Sequence, residues 1–256
     1  FYTLENSGAT QKLSDGSLWR LRIHSPEAKS HNLGIIRFDM PDGAKLSIYD
    51  PAHNHVKGPY TSRDRSTLGS LWTPIIKGDE IVVEVFWPVK VVKPVVEIRK
   101  VNQGYRDPEQ AGGGFPEAPC NIDVVCTPQK DPWPDQIRAV GKYIFNGTYG
   151  YCTGTMLNNT RQDHTPYFLS ADHCFTQLSN NPNQHALWAD SMVVSWNYES
   201  PVCSTQHSHP SPPEQNSVSG ATILSRDPGT DFILLQLKKK PSEETPPINN
   251  VFYAGW

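Results

Sequence analysis

Proline and glycine recur so often in this chain that long helices are excluded over most of its length. The sequence has 23 prolines and 18 glycines in 256 residues, and short runs rich in Val, Ile, Tyr and Trp lie between them. Proline breaks the interiors of helices and strands alike, whereas β-branched and aromatic residues favour strands. The sequence therefore predicts an all-β protein, and its length suits two domains of ordinary size.

The first hundred residues alternate apolar and polar side chains with the period of a β-strand. Around Trp19, Leu21 and Ile23 the apolar residues share one strand face, and arginines occupy the other. Further strands are predicted at 33–39, 45–50, 80–87 and 95–101. Two sheets packed face to face would bury these apolar faces, so we expect a β-sandwich over residues 1–103.

The alternation stops after this region. Three consecutive glycines at 112–114 and prolines at 108, 116 and 119 are typical of an exposed interdomain linker, which we place at 104–119. A second domain is predicted over 120–256, with surface loops at 180–184 and 210–215. Its strands are predicted at 137–145, 152–157, 167–170, 192–198 and 232–237.

Charge and cysteine content restrict the function classes. A net charge of −3 leaves no excess of cations for a nucleic acid or an anionic membrane, and no apolar stretch approaches the length that crosses a bilayer. All five cysteines lie between Cys120 and Cys203, which favours disulfides and secretion. The odd count leaves one thiol for an intermolecular bond or for a partner further along the protein. No metal or cofactor is expected, since the His53/His55 and His207/His209 pairs lack a cluster that would complete a site.

Two segments of the second domain carry candidate chemistry. The segment YFLSADHC (167–174) places His173 on a turn of small residues directly after an apolar strand, with Cys174 beside it. The segment GTDFILLQL (229–237) places Asp231 at the start of a strongly apolar strand. A carboxylate there needs a hydrogen-bonding partner, and an imidazole N–H is a suitable one. Such a carboxylate holds a histidine in the tautomer that removes a proton from a serine.

These segments, together with several shorter ones, resemble the bacterial lysyl endopeptidases, a branch of the chymotrypsin-fold serine proteases. Their order and spacing agree over 120–256. The shorter segments are CNIDVVC (120–126), RAVG (138–141), CTGT (152–155), NNT (158–160), WNY (196–198) and AGW (254–256).

The resemblance implies a secreted serine endopeptidase that hydrolyses peptide bonds. It makes His173 the general base and acid and Asp231 its orienting partner, both on the first of two β-barrels. Residues 251–256 would be the opening strand of the second barrel. It also implies the disulfides Cys152–Cys174 and Cys126–Cys203, with Cys120 bonded to a cysteine of the second barrel.

The nucleophile is the part of the triad that the resemblance does not supply. The chain has no Gly-Asp-Ser-Gly-like segment, and its Ser-Gly pairs, at Ser7 and Ser219, lie in the first domain or upstream of Asp231. We therefore expect the serine and the second barrel to lie beyond this chain. The isolated chain would then be inactive, because triad members act as a unit.

Three alternatives stay open from the sequence. Asp172 either raises the pKa of the neighbouring imidazole or points to solvent with little effect, and we favour the second. The N-terminal sandwich is either a prodomain of a zymogen or an accessory module whose Trp19, Trp72 or Trp87 stack on a polysaccharide, although core tryptophans are the simpler interpretation. The competing function is a non-catalytic binding or adhesion protein with a degenerate protease barrel.

Overall fold

A computed structural model describes residues 1–105, 122–128, 130–145, 149–176, 179–199, 203, 217–244 and 247–255, with the backbone alone at 149–151. The described chain consists mainly of antiparallel strands, which confirms the all-β prediction. Two five-stranded sheets are built from the N-terminal strands, and a seven-stranded sheet follows.

The N-terminal strands form the predicted sandwich. One sheet has the order β1-β10-β4-β7, with β8 also paired to β4, and the other has the order β2-β3-β9-β5-β6. The strands are β1 (Tyr2–Thr3), β2 (Ala9–Lys12), β3 (Gly16–His24), β4 (Ser30–Asp39), β5 (Lys45–Tyr49), β6 (Val56–Tyr60), β7 (Leu71–Trp72), β8 (Ile76–Lys77), β9 (Glu80–Pro88) and β10 (Val95–Gly104).

The sandwich core follows from the alternation that predicts it. Trp19 and Leu21 of β3 lie opposite Val85 and Val83 of β9, and all four side chains are buried. The indole N–H of Trp19 donates to the Ser7 carbonyl at 2.7 Å. Burial of Trp72 and Trp87 as well confirms the interpretation of core tryptophans, so these rings do not offer stacking faces for a polysaccharide.

The third sheet curls into a barrel. Its order is β15-β14-β11-β12-β13-β17-β16, and its two outermost strands, β15 and β16, are joined by Gly220 alone. Gly220 has φ +84°, and its N–H donates to the carbonyl of Met192, just before β14, at 2.7 Å. Its carbonyl accepts from the N–H of Lys238, just after β17, at 2.9 Å. Glycine reaches this left-handed conformation without steric cost, so the kinked segment closes the sheet on itself.

Three short α-helices accompany the barrel in the described residues. They are α1 (Pro134–Ala139), α2 (His173–Thr176) and α3 (Pro182–Asp190). The strands are β11 (Val140–Phe145), β12 (Tyr149–Leu157), β13 (Tyr167–Ser170), β14 (Val193–Trp196), β15 (Ser217–Ser219), β16 (Ala221–Asp227) and β17 (Phe232–Leu237).

The structure corrects several predicted elements. The strand predicted at 137–145 begins at Val140, because Pro134 at the first helical turn starts α1. The loop predicted at 180–184 contains the start of α3, which Asn181 caps by accepting from Asn183 N. The loop predicted at 210–215 and nearly all of the linker predicted at 104–119 lie outside the described residues.

The segment predicted to open a second barrel is held on the first one. Within 251–255 only Ala254 forms a bridge, to Leu157 of β12. Ala254 N donates to Met156 O at 2.9 Å, and Ala254 O accepts from Asn158 N at 2.8 Å. No strand is assigned there among the described residues, because a single isolated bridge is shorter than a strand.

The sandwich contacts the barrel through an interface with a polar and an apolar part. Asp190 of the barrel is buried and accepts from Ser70 Oγ at 2.5 Å and from Leu68 N at 3.4 Å. An apolar cluster joins Trp72 and Ile75 of the sandwich to Ile144 and Val193 of the barrel.

A second polar cluster and a cavity lie at the same interface. Lys239 of the barrel bonds to Asp64 of the sandwich and lies 3.6 Å from Glu244. A cavity of about 260 Å³ opens beside this cluster, between Lys57 and Tyr60 on the sandwich side and Ser217, Ser219 and Lys238 on the barrel side.

Candidate active site

His173 and Asp231 come together at one end of the barrel. His173 Nδ1 lies 2.7 Å from Asp231 Oδ2, and the backbone N–H of His173 donates to Asp231 Oδ1 at 2.8 Å. The residues are 58 positions apart in the chain, so the contact depends on the fold. Both oxygens of the carboxylate are thus engaged by one residue, which fixes the plane of the carboxylate relative to the imidazole.

The position of His173 is set by the strand before it and by two anchors beside it. β13 pairs with β12 on one side and with β17 on the other. It is followed, after two residues, by α2, whose first residue is His173. Cys174 forms a disulfide with Cys152 of β12. Phe175 is fully buried and packs on Phe145 with a ring-centroid distance of 5.1 Å. His173 is therefore held against the barrel by its neighbours and does not lie in a free loop.

Asp231 is presented by a tight turn between β16 and β17. Asp227 accepts from Gly229 N at 3.3 Å, from Thr230 N at 3.0 Å and from Thr230 Oγ1 at 2.6 Å. These bonds lower the pKa of the Asp227 carboxyl, with the Thr230 side chain as the largest cause. Asp231 itself has φ +54°, a left-handed conformation that aspartate tolerates better than most residues. The turn aims its carboxylate back at His173.

The electrostatics of the pair suit a carboxylate that stays ionised. The His173 side chain and then its backbone N–H, both hydrogen-bonded to Asp231, lower the pKa of the Asp231 carboxyl. Because Oδ2 is an acceptor, Nδ1 of His173 carries the proton and Nε2 has a free lone pair in the neutral ring. About half of each side chain is exposed, 49% for His173 and 51% for Asp231, so the imidazole is open to a reacting partner.

Asp172 does not point to solvent, which makes the favoured interpretation of this residue wrong. Its side chain is 1% exposed and forms an ion pair with Arg226. The physical reason is the guanidinium, whose charge and one hydrogen bond to Oδ2 compensate the desolvation of the buried carboxylate. Arg226 in turn bonds to His185 of α3. The sequence analysis did not identify Arg226 and His185. The one hint in the sequence was Asp172, a carboxylate directly after an apolar strand, which would need a cationic partner if it were buried.

The disulfides implied by the family resemblance are present. Cys152 bonds to Cys174 and Cys126 bonds to Cys203. Cys120, the fifth cysteine, lies outside the described residues. The confirmed pairs connect β12 to α2 and the start of the barrel region to the segment after β14.

The serines of the two Ser-Gly pairs lie away from the His173–Asp231 pair. Ser7 is in the sandwich, where its hydroxyl donates to Asn6 Oδ1 at 2.6 Å. Ser219 lines the cavity between sandwich and barrel. Ser170 is nearer in sequence, but its hydroxyl donates to Thr153 O at 2.7 Å and contacts Tyr143 OH at 2.9 Å. None of these three hydroxyls is bonded to His173.

In the part of the chain that the structure describes, the helices are too short and too polar to span a membrane.

Comparison with known proteins identifies the family. The family model described as lysyl endopeptidase, C-terminal domain, matches residues 117–256. The curated lysyl endopeptidase of Pseudomonas aeruginosa is 30% identical over 213 residues, which cover 77% of this chain and 42% of that protein. The chain thus spans less than half the length of this relative. Since the family model covers more than half of the chain, including His173 and Asp231, the chain belongs to the lysyl endopeptidase family.

Proposed function

We propose that this chain carries the base and the orienting acid of a secreted serine endopeptidase. The observation that supports the proposal is the double hydrogen bond between Asp231 and His173, through the backbone N–H and Nδ1. Family membership supports the same reaction class. The two disulfides fit secretion, because such bonds persist in oxidising compartments.

In the proposed mechanism His173 Nε2 takes the hydroxyl proton of a serine as its oxygen attacks the peptide carbonyl carbon. Asp231 holds the Nδ1 proton and stabilises the imidazolium that forms. His173 then returns the proton to the departing amine, and the acyl-serine ester is hydrolysed by water through the same base. The serine, the oxyanion-hole donors and the pocket for the substrate side chain would come from a part of the protein outside this chain.

The sandwich, in this proposal, is a prodomain of a zymogen that is released by cleavage between it and the barrel. The residues involved would lie in the linker predicted at 104–119. An accessory role in polysaccharide binding has less support, because Trp19, Trp72 and Trp87 are core residues.

The decisive experiment is labelling of the complete protein with a fluorophosphonate, which reacts with activated serines. We expect His173→Ala to abolish labelling. In an assay of peptide hydrolysis, Asp231→Asn should lower kcat by about 10⁴-fold, because the asparagine favours the wrong imidazole tautomer. His24→Ala, at an exposed position of the sandwich, is the matched control and should label like the wild type. Undiminished labelling of the His173 variant would contradict the proposed role.

A further inference from the structure

Arg226 connects its own strand, β16, to Asp172 just before α2 and to α3. It lies on β16, and its Nε is 2.6 Å from Asp172 Oδ1, while Nη2 donates to Asp172 Oδ2 at 3.0 Å. The Nε contact is short but out of line for a hydrogen bond to the buried Oδ1, so its contribution is ionic. The third nitrogen, Nη1, donates to Nδ1 of His185 on α3.

One end of this network meets the dyad at the backbone of residues 172 and 173. Asp172 N donates to Asp231 O at 3.3 Å, and the next N–H, that of His173, donates to Asp231 Oδ1 at 2.8 Å. Asp172 and His173 are adjacent, so the ion pair that holds the Asp172 side chain also restrains the backbone that carries the His173 N–H. Release of Asp172 would loosen the contact that orients Asp231.

The other end of the network is fixed by His185. Its Nε2 lies 2.6 Å from Ser179 O and donates to it, which leaves Nδ1 to accept from Arg226. These partners assign a neutral ring with the proton on Nε2. The ring packs edge-on against Phe175, with a centroid distance of 6.2 Å, and in a tilted arrangement against Trp188 at 5.6 Å. His185 thus holds the guanidinium against the core that supports α2.

Arg226 also belongs to the element that carries the carboxylate of the pair. Its Cα partner in the sheet is Ile233 of β17, two residues after Asp231. The same side chain therefore spans from the hairpin that presents Asp231 to the turn that presents His173.

We propose that Arg226 is a positioning residue, which holds the His173 turn against the Asp231 hairpin through Asp172 and His185. Its consequence for catalysis rests on the function proposed above, whereas its effect on the His173–Asp231 contact does not. The spread of the guanidinium nitrogens matters as well as the charge, because a single lysine ammonium cannot reproduce separate nitrogens that bond to Asp172 and to His185.

The first test uses this chain alone and follows the proton on His173 Nδ1 by NMR at low temperature. A proton held between imidazole and carboxylate gives a separate downfield resonance, and its exchange with water reports opening of the contact. We expect Arg226→Met to speed this exchange by about ten-fold or more. Arg226→Lys should give an intermediate rate.

The matched control is Lys239→Met, which also removes a buried cation from a buried carboxylate, Asp64, but at the other end of β17. Its exchange rate should stay within about two-fold of the wild type. Equal rates in the Arg226 and Lys239 variants would overturn the proposal. If Arg226→Met does not fold, the double variant Asp172→Asn/Arg226→Gln replaces the ion pair with two neutral side chains that can still form a hydrogen bond. An unchanged exchange rate in this double variant would also count against a role for the ionic contact.

The second test uses the complete protein and separates this inference from the proposed function. We expect Arg226→Met to lower kcat by about ten-fold with little change in KM, because positioning of the base matters in the transition state. Equal loss in the Lys239 variant would reduce Arg226 to a structural role. A wild-type protein without peptidase activity would refute the proposed function, while faster proton exchange in the Arg226 variant would still support the positioning role.

Discussion

Gly154 is the residue whose missing side chain matters most to the strand before His173. It lies on β12 opposite Ser170 of β13. A Cβ at Gly154 would lie 2.4 Å from Phe168 Cε1 and 2.6 Å from Leu169 O. The backbone oxygen cannot yield without a shift of β13, and Phe168 is fully buried in the barrel core. Packing therefore explains why a glycine occupies the third position of the CTGT segment at 152–155.

We predict that Gly154→Ala lowers the free energy of unfolding by about 1 to 3 kcal/mol, the usual cost of overpacking. Urea denaturation followed by tryptophan fluorescence measures it. Gly255→Ala is the matched control, because a Cβ there meets nothing within 4 Å. Similar losses in both variants would show that the cost comes from the backbone and not from contact with Phe168.

At the scale of elements, the two disulfides do different work. Cys152–Cys174 joins β12 to the helix that begins with His173, and its cysteines are 22 positions apart. Cys126–Cys203 joins segments 77 positions apart, neither of which is next to His173 or Asp231 in the chain. Both constrain the unfolded chain, but only the first anchors the imidazole.

We predict that replacing Cys152 and Cys174 by alanine destabilises the barrel by roughly 3 kcal/mol, and that replacing Cys126 and Cys203 does so by roughly 4 kcal/mol, because the closed loop is longer. Denaturant titration of the oxidised variants gives both values. The readout that distinguishes them is the exchange rate of the His173 Nδ1 proton, which should rise in the first variant. A larger rise in the second would contradict the anchoring role of Cys174.

Burial alternates most regularly along β3, β9 and β17, which are among the strands that the sequence predicts. β3 and β9 were predicted for this reason, with Trp19 and Val85 as examples. β7 and β8 have two residues each, too few to form a pattern. β16 was missed because a register shift between Ile223 and Ser225 disrupts its alternation.

The candidate site was predictable only in part for a similar reason. His173 and Asp231 lie in recognisable segments, whereas Arg226 is a charged residue on a strand, and such residues usually face solvent. Only the fold shows that its guanidinium turns inward to Asp172 and His185.

At the scale of the whole molecule, the interface between sandwich and barrel contains a titratable cluster. Asp64 and Glu244 share the ammonium of Lys239, and all three side chains are largely buried. Burial is the main cause that raises the pKa of Glu244 from 4.5 to about 7. A carboxyl with a raised pKa binds its proton more tightly in the folded protein, so its contribution to stability is lost as pH rises from about 4.5 to about 7.

We predict that Glu244→Gln removes this pH dependence and makes the protein more stable than the wild type above pH 7, by up to about 3 kcal/mol. Denaturation at several pH values measures the difference between the two proteins. Glu27→Gln changes an exposed carboxylate of the sandwich and is the control that should follow the wild-type curve. Parallel curves for wild type and Glu244→Gln would mean that folding does not shift the pKa of this carboxyl.

The same interface leaves the His173–Asp231 pair uncovered. Asp231 precedes β17 and Lys238, which lines the cavity, follows it. The length of the strand therefore separates the cavity from the Asp231 carboxylate by about 23 Å. The docked sandwich therefore does not act as a plug on the imidazole.

The kink at Gly220 lies where the barrel closes, and the ribosome reaches this point only after it has made the sandwich. The ribosome completes the last strand of the sandwich at Gly104, long before it adds β14, β15 and β16, which form the seam where the barrel closes. Domains made first generally fold first. The sandwich face that contacts Val193 and Asp190 is thus already available when the seam emerges, and the barrel closes against a surface made earlier by the same chain.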